Sequence, residues 1–117
     1  MGFDNWFGDT SADYVADYLS PWKDRVELVV GDILETSAKT ETGPLALAHL
    51  DLNASRVTQV ALEYIYPRLL PCAILVMDDY GQNGYEEQRR VIDEFFANKP
   101  ECPLGLPTGQ GMVMKTT

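Results

Sequence analysis

The residues of this chain that could do chemistry are acids, and their placement matters more than their number. Asp51 closes the apolar run 45–50, and the pair Asp78-Asp79 closes the apolar run 73–77. Asp32 follows the β-rich run 26–30 and Gly31, and Asp4 follows the short apolar stub 1–3. In an open α/β sheet, ligands bind outside the carboxyl ends of the strands. A single acid there is most simply the cap of the following helix, but that account weakens when four successive strand ends carry one. On parallel strands these carboxylates converge on one sheet edge, where they repel one another unless a cation offsets them. Oxygen-only ligation suits magnesium, calcium or manganese. Asp51, Asp78 and Asp79 are the expected ligands, since the two apolar strands they close are expected side by side. One of these acids could instead be a general base toward a substrate hydroxyl, and a bound metal would lower that hydroxyl's pKa.

The elements needed to position these acids are legible in the hydropathy pattern. A first helix is expected after the cap candidates 9–11, with Tyr14, Val15, Tyr18 and Leu19 at helical spacing and Pro21 ending it; the two tyrosines read as core. A polar stretch, 35–43, reads as a loop or weak helix. Ser55 is the expected cap of a second helix, with Val57, Val60, Ala61, Tyr64 and Ile65 on one face. A third helix is expected over about 85–98, with Val91, Ile92, Phe95 and Phe96 inward and Arg89 and Arg90 on a solvated face. Residues 104–115 read as a closing hairpin. Nearly continuous apolar strands alternating with helices predict an α/β fold with a parallel sheet covered on both faces. No linker divides the chain, so residues 1–117 are expected to form a single domain.

Composition narrows the function classes. Hydrophobic residues make up 45% of the 117, enough for a core, and the formal charge is −9. That charge repels phosphate backbones, so nucleic-acid binding is not expected. No apolar run approaches the ~20 residues of a membrane span, and the first residues do not resemble a signal peptide; the expected location is the cytoplasm. Cys72 and Cys102 show no metal-ligand spacing, and Cys72 reads as a small core residue. His49, two residues before Asp51, reads as a packing residue more readily than as a proton shuttle, and Tyr80 as a residue facing the site.

Taken together, Leu47-Ala48-His49-Leu50-Asp51-Leu52-Asn53, Tyr66-Pro67-Arg68-Leu69 and Val76-Met77-Asp78-Asp79-Tyr80 resemble the macrocin O-methyltransferase family in order and in interval. Val91-Ile92-Asp93-Glu94-Phe95, the closing segment 106–115 and Gly2-Phe3-Asp4-Asn5-Trp6-Phe7-Gly8 extend the resemblance over nearly the whole chain. It implies a Rossmann-like class I methyltransferase sheet of strand order 3-2-1-4-5-7-6, with helices on both faces and an antiparallel hairpin at the carboxyl end. It also implies S-adenosylmethionine as methyl donor, magnesium as cofactor, and a hydroxyl of a sugar or related small molecule as acceptor. By position, Asp51, Asp78 and Asp79 match the family's metal-binding acids, and Asp51 also its proposed base. Asp4 matches the segment facing the cofactor ribose, and Asp32 a position contacting the adenine.

Three departures stand out. Asn53 and Ser55 replace the family's second acid and its tyrosine, and Cys72-Ala73 replaces a Gly-Gly pair. The family's first strand and glycine-rich loop have no counterpart here, which reads as truncation at the amino end. With each unmet buried backbone group costing roughly 1–3 kcal/mol, such a chain is expected to be marginal, rearranged or paired, as a homo-oligomer or with a partner chain. It is also expected to bind S-adenosylmethionine weakly or not at all, while keeping the acidic corner. The rival reading is a non-catalytic methyltransferase-like module that binds a partner through its exposed sheet; a carboxylate-metal hydrolase ranks third, for want of a nucleophile motif.

Overall fold

The computed structural model describes residues 8–117, so Asp4, Trp6 and Phe7 lie outside the described residues. Two compact units divide at Asp32/Ile33.

In the first unit, helix α1 spans Ala12–Tyr18, and its first turn is capped by the Ser11 hydroxyl, which accepts from the Tyr14 N–H at 3.1 Å. A 3₁₀ turn at Ser20–Trp22 follows, with Pro21 in its first turn. Tyr14 and Tyr18 are exposed, contrary to the core expectation; the half-buried positions are Val15 and Leu19, one turn apart on the other stripe of the helix. Residues 26–30 form no strand, and Val30 is 71% exposed. β-propensity needs a neighbouring strand to take the backbone groups, and among the described residues none pairs with this run.

The second unit holds the sheet. A short helix α2 (Ile33–Thr36) leads through a 3₁₀ turn to strand β1 (Leu45–Leu50), then helix α3 (Ser55–Ile65), strand β2 (Leu69–Met77), helix α4 (Glu86–Phe96), and the hairpin of β3 (Leu104–Gly105) and β4 (Gly111–Met114). Spatial order is β1-β2-β4-β3, with β1 parallel to β2 and the other two pairs antiparallel. This is the 4-5-7-6 portion of the expected Rossmann-like methyltransferase order, hairpin included.

The register explains the core. Ala48 pairs with Leu75, Leu50 with Met77, and Leu75 with Val113, so these buried side chains share one face of the pleat. Ala61 and Leu62 of α3 and Ile92 and Phe96 of α4 join them in one buried cluster. A buried polar bridge ties the two helices: Gln88 Nε2 donates to Thr58 Oγ1 at 2.9 Å. Residues of opposite parity are wetter; Leu47 is 64% exposed, and Ile74, Val76 and Met112 are half-buried. Ser55 is the first helical residue of α3 rather than its cap, and Ala54 precedes it with no side-chain cap.

At its amino end β2 runs through Pro71 and Cys72, and the ladder slips between the Leu45–Leu69 and Leu47–Ile74 pairs. Cys72 sits at φ 66°, a conformation that favours glycine, where the resembling family carries Gly-Gly. The irregularity turns Cys72 outward, so it is exposed and not a core residue.

The chain end is pinned by a buried carboxylate. Glu101 accepts from the Tyr66 hydroxyl at 2.7 Å and from the Thr116 backbone N–H and hydroxyl, each at 2.9 Å, and lies 3.6 Å from Lys115 Nζ. Burial pushes the Glu101 carboxyl up, but the donors from Thr116 and Tyr66 outweigh it and hold it at about 2, below its usual 4.5. A carboxylate depressed on folding contributes stability above its unfolded pKa, and that contribution is lost as pH falls toward the folded value. Thermal melting from pH 5 to pH 2 is therefore expected to show a loss of stability that Glu101→Gln largely removes. A second test concerns Gly111. A Cβ there would sit 2.6 Å from Tyr80 Cγ, so Gly111→Ala is expected to cost about 1–3 kcal/mol in a denaturant titration.

Candidate active site

The acids come together because two strands end on the same rung. Leu50 pairs with Met77, and the Asp78 N–H donates to the Leu50 carbonyl at 2.9 Å, carrying the parallel ladder one step past both strands. Asp51 and Asp78 therefore leave the sheet side by side, and Asp79 follows in a turn over 78–81. One carboxylate oxygen from each of Asp51, Asp78 and Asp79 lies within 4.8 Å of the others.

Their surroundings differ. Asp51 is exposed, Asp78 half-buried, and Asp79 only 7% exposed. Asp79 Oδ2 is buried, with no hydrogen-bond partner among the described residues. Burial first, and then the charges of Asp78 and Asp51, push the Asp79 carboxyl above its usual 3.8. Three grouped carboxylates, one with a buried oxygen that lacks a partner among the described residues, are a donor set suited to a hard divalent cation, so the residues fit the magnesium that the resemblance implies. Asn53, at φ 51°, stands beside Asp51 with its Nδ2 3.5 Å from Oδ1.

Two neighbours of Asp78 complete the corner. His49 Nε2 lies 3.5 Å from Asp78 Oδ1, with about half of its side chain exposed; it stands at the acids and not in the core packing. Gln110, at the start of β4, donates from Nε2 to the same Oδ1 at 2.9 Å. No motif pointed to Gln110, because it lies 32 residues along the chain from Asp78 and reaches it only through the β2–β4 pairing.

Tyr80 is engaged by β4 and α4. It is 5% exposed, packs on Gly111, donates to Asp93 Oδ1 at 2.6 Å, and carries the Arg89 guanidinium over its ring at 4.9 Å. Burial, then the hydrogen bond to Asp93, pushes its hydroxyl up to about 12 despite Arg89, so it remains a neutral structural phenol. Arg89 is accordingly a packing residue as well as a surface charge. Asp32 is exposed in the first unit. Among the described residues, an open groove of about 500 Å³ lies at the other end of β1 and β2, lined by Pro44, Arg68 and Pro71, and none of the three acids borders it.

A protein-family profile described as a methyltransferase domain matches residues 1–80. The chain belongs to that methyltransferase family. Solved structures show the same fold. The O-methyltransferase NovP matches with a TM-score of 0.79 at 18% identity, covering 99% of this chain and 55% of its own. The calicheamicin methyltransferase CalS11 matches at 0.70 and 22%, covering 90% and 48%. An O-methyltransferase from Bacillus cereus, in complex with SAH, matches at 0.68 and 16%, covering 88% and 57%. The chain thus spans about half the length of these relatives. No curated protein matches it. No helix among the described residues is long and apolar enough to cross a membrane.

The crowding of carboxylates has a pH signature. Asp79 is raised on folding, so its contribution to stability is full below its unfolded value of about 3.8 and is lost as pH rises through the raised value. In chelator, the melting temperature of the wild type is expected to fall relative to that of Asp79→Asn as pH rises from 4 to 8. A constant difference between the two would contradict the raised value.

Proposed function

We propose that the protein takes part in S-adenosylmethionine-dependent O-methylation, with Asp51, Asp78 and Asp79 holding a divalent cation, magnesium by resemblance, and with a sugar or related small-molecule hydroxyl as acceptor. The observation that carries this reading is the meeting of three carboxylates at the carboxyl edge of a methyltransferase sheet, one of them with a buried oxygen that no described residue satisfies. The ordered series of motifs shared with the macrocin O-methyltransferase family supports the acceptor class. So does CalS11, described as a TDP-rhamnose 3'-O-methyltransferase.

In this scheme the acceptor oxygen attacks the sulfonium methyl in line, the carbon–sulfur bond breaks, and S-adenosylhomocysteine leaves. The acceptor proton passes to the exposed Asp51 carboxylate, which is open to an approaching hydroxyl. A divalent cation, when bound, would acidify that hydroxyl and offset the charge of the acids. Asp78 and Asp79, fixed by the ladder and the turn, orient the acceptor; positioning is most of what a one-step transfer needs. Asp4 and Asp32 are assigned to the cofactor ribose and adenine by the same resemblance.

The test uses labelled S-adenosylmethionine, magnesium and a panel of sugar-bearing acceptors. Transfer is expected to stop in chelator, to return with magnesium, and to fall by about 10²–10⁴ in Asp51→Asn. Transfer that survives both chelation and this substitution would remove Asp51 and the cation from the scheme.

A further inference from the structure

Asp78 and Asp79 are carried by a turn that a second turn braces. Residues 78–81 lie at the end of β2, and a second turn, between β3 and β4, is laid against them. Three links join the two. The Gly81 N–H donates to the Gly109 carbonyl at 2.7 Å, Gln82 Nε2 reaches the Thr108 carbonyl at 3.4 Å, and Gln110 Nε2 donates to Asp78 Oδ1 at 2.9 Å. The approach is close: a Cβ on Gly81 would stand 3.1 Å from the Gly109 oxygen. Gln110 is itself held, since its Oε1 accepts from the Thr108 hydroxyl at 3.2 Å and its carbonyl accepts from the Leu106 N–H at 2.8 Å. Of the three links, only that from Gln110 ends on a carboxylate of the acidic cluster.

We propose that Gln110 is a positioning residue. Its amide clamps one oxygen of Asp78, stops the carboxylate from swinging away from its two like-charged neighbours, and so presets the cluster for a divalent cation. The physical reason is the repulsion among Asp51, Asp78 and Asp79. Unrestrained, an exposed carboxylate lowers its energy by turning toward water. A neutral amide donor holds Asp78 without neutralising it, whereas a lysine or arginine there would compete with the cation. The Oδ2 of Asp79, buried and without a partner among the described residues, is a further sign that the cluster is shaped for a ligand. Such outer partners of ligating carboxylates typically change metal affinity 10–100-fold. The inference deepens the cation reading above and rests on it.

Manganese binding to the full chain tests it, by calorimetry and by electron paramagnetic resonance, in wild type, Gln110→Ala and Gln82→Ala. Gln82→Ala removes a link of the same turn without touching an acid. Gln110→Ala is expected to weaken manganese binding about 10–100-fold, while Gln82→Ala keeps the wild-type affinity and both melt alike in chelator. Equal affinities for wild type and Gln110→Ala, or equal losses in the two variants, would overturn the clamp. If the wild type binds no manganese, the cation reading fails and the clamp is judged on the metal-free chain. There the Gln110 side-chain amide resonances must move on Asp78→Ala; unmoved resonances overturn it.

Discussion

The parallel pairing of β1 with β2 is the interaction on which the rest depends. Its register sets Leu50 against Met77 and delivers Asp51 and Asp78 to the same point beyond the sheet. A slip of β1 by one residue would turn Ala48 and Leu50 out of the core, and the same slip would part the acids. Core burial and site geometry are thus two consequences of one ladder. The apolar face locks the register, and the register places the carboxylates without any direct attraction between them.

That arrangement carries an electrostatic cost. Three carboxylates share a small volume, and burial raises the one least able to reach water. The structure offsets the strain locally with neutral or half-exposed partners: the Gln110 amide, the His49 ring and the Asn53 amide. Three cations find their partners elsewhere. Arg89 lies over Tyr80, Arg90 pairs with Glu87 and Glu94 along α4, and Lys115 sits with Glu101. The hairpin therefore has a second task beside completing the sheet. It braces the turn that bears Asp78 and Asp79, and Tyr80, wedged on Gly111, fastens that turn to α4.

Much of this was readable from residue order, and the failures are instructive. Strands, the two long helices and the hairpin follow from apolar periodicity, because each of these segments buries a face against the others. Residues 26–30 show the same composition as a strand yet form none among the described residues, since a strand exists only with a partner. Tyr14 and Tyr18 repeat at the same helical spacing as Val15 and Leu19, so periodicity alone could not choose the inward stripe. Cys72 looked like core because it adjoins an apolar run; a left-handed backbone at that one residue turns it out. Tyr80 adjoins the acids in sequence, but its hydroxyl is engaged by Asp93 of α4.

What the sequence determined by itself was the strand-end position of Asp51, Asp78 and Asp79, because their apolar runs specify where each strand must stop, whereas Asp32 follows no strand. Tertiary structure alone decided that Asp79 would be the buried member, with an oxygen that no described residue satisfies. It alone also brought Gln110 and His49 to the same oxygen of Asp78. Those facts depend on contacts between segments far apart in the chain, and no local pattern encodes a distance that only the packed sheet creates.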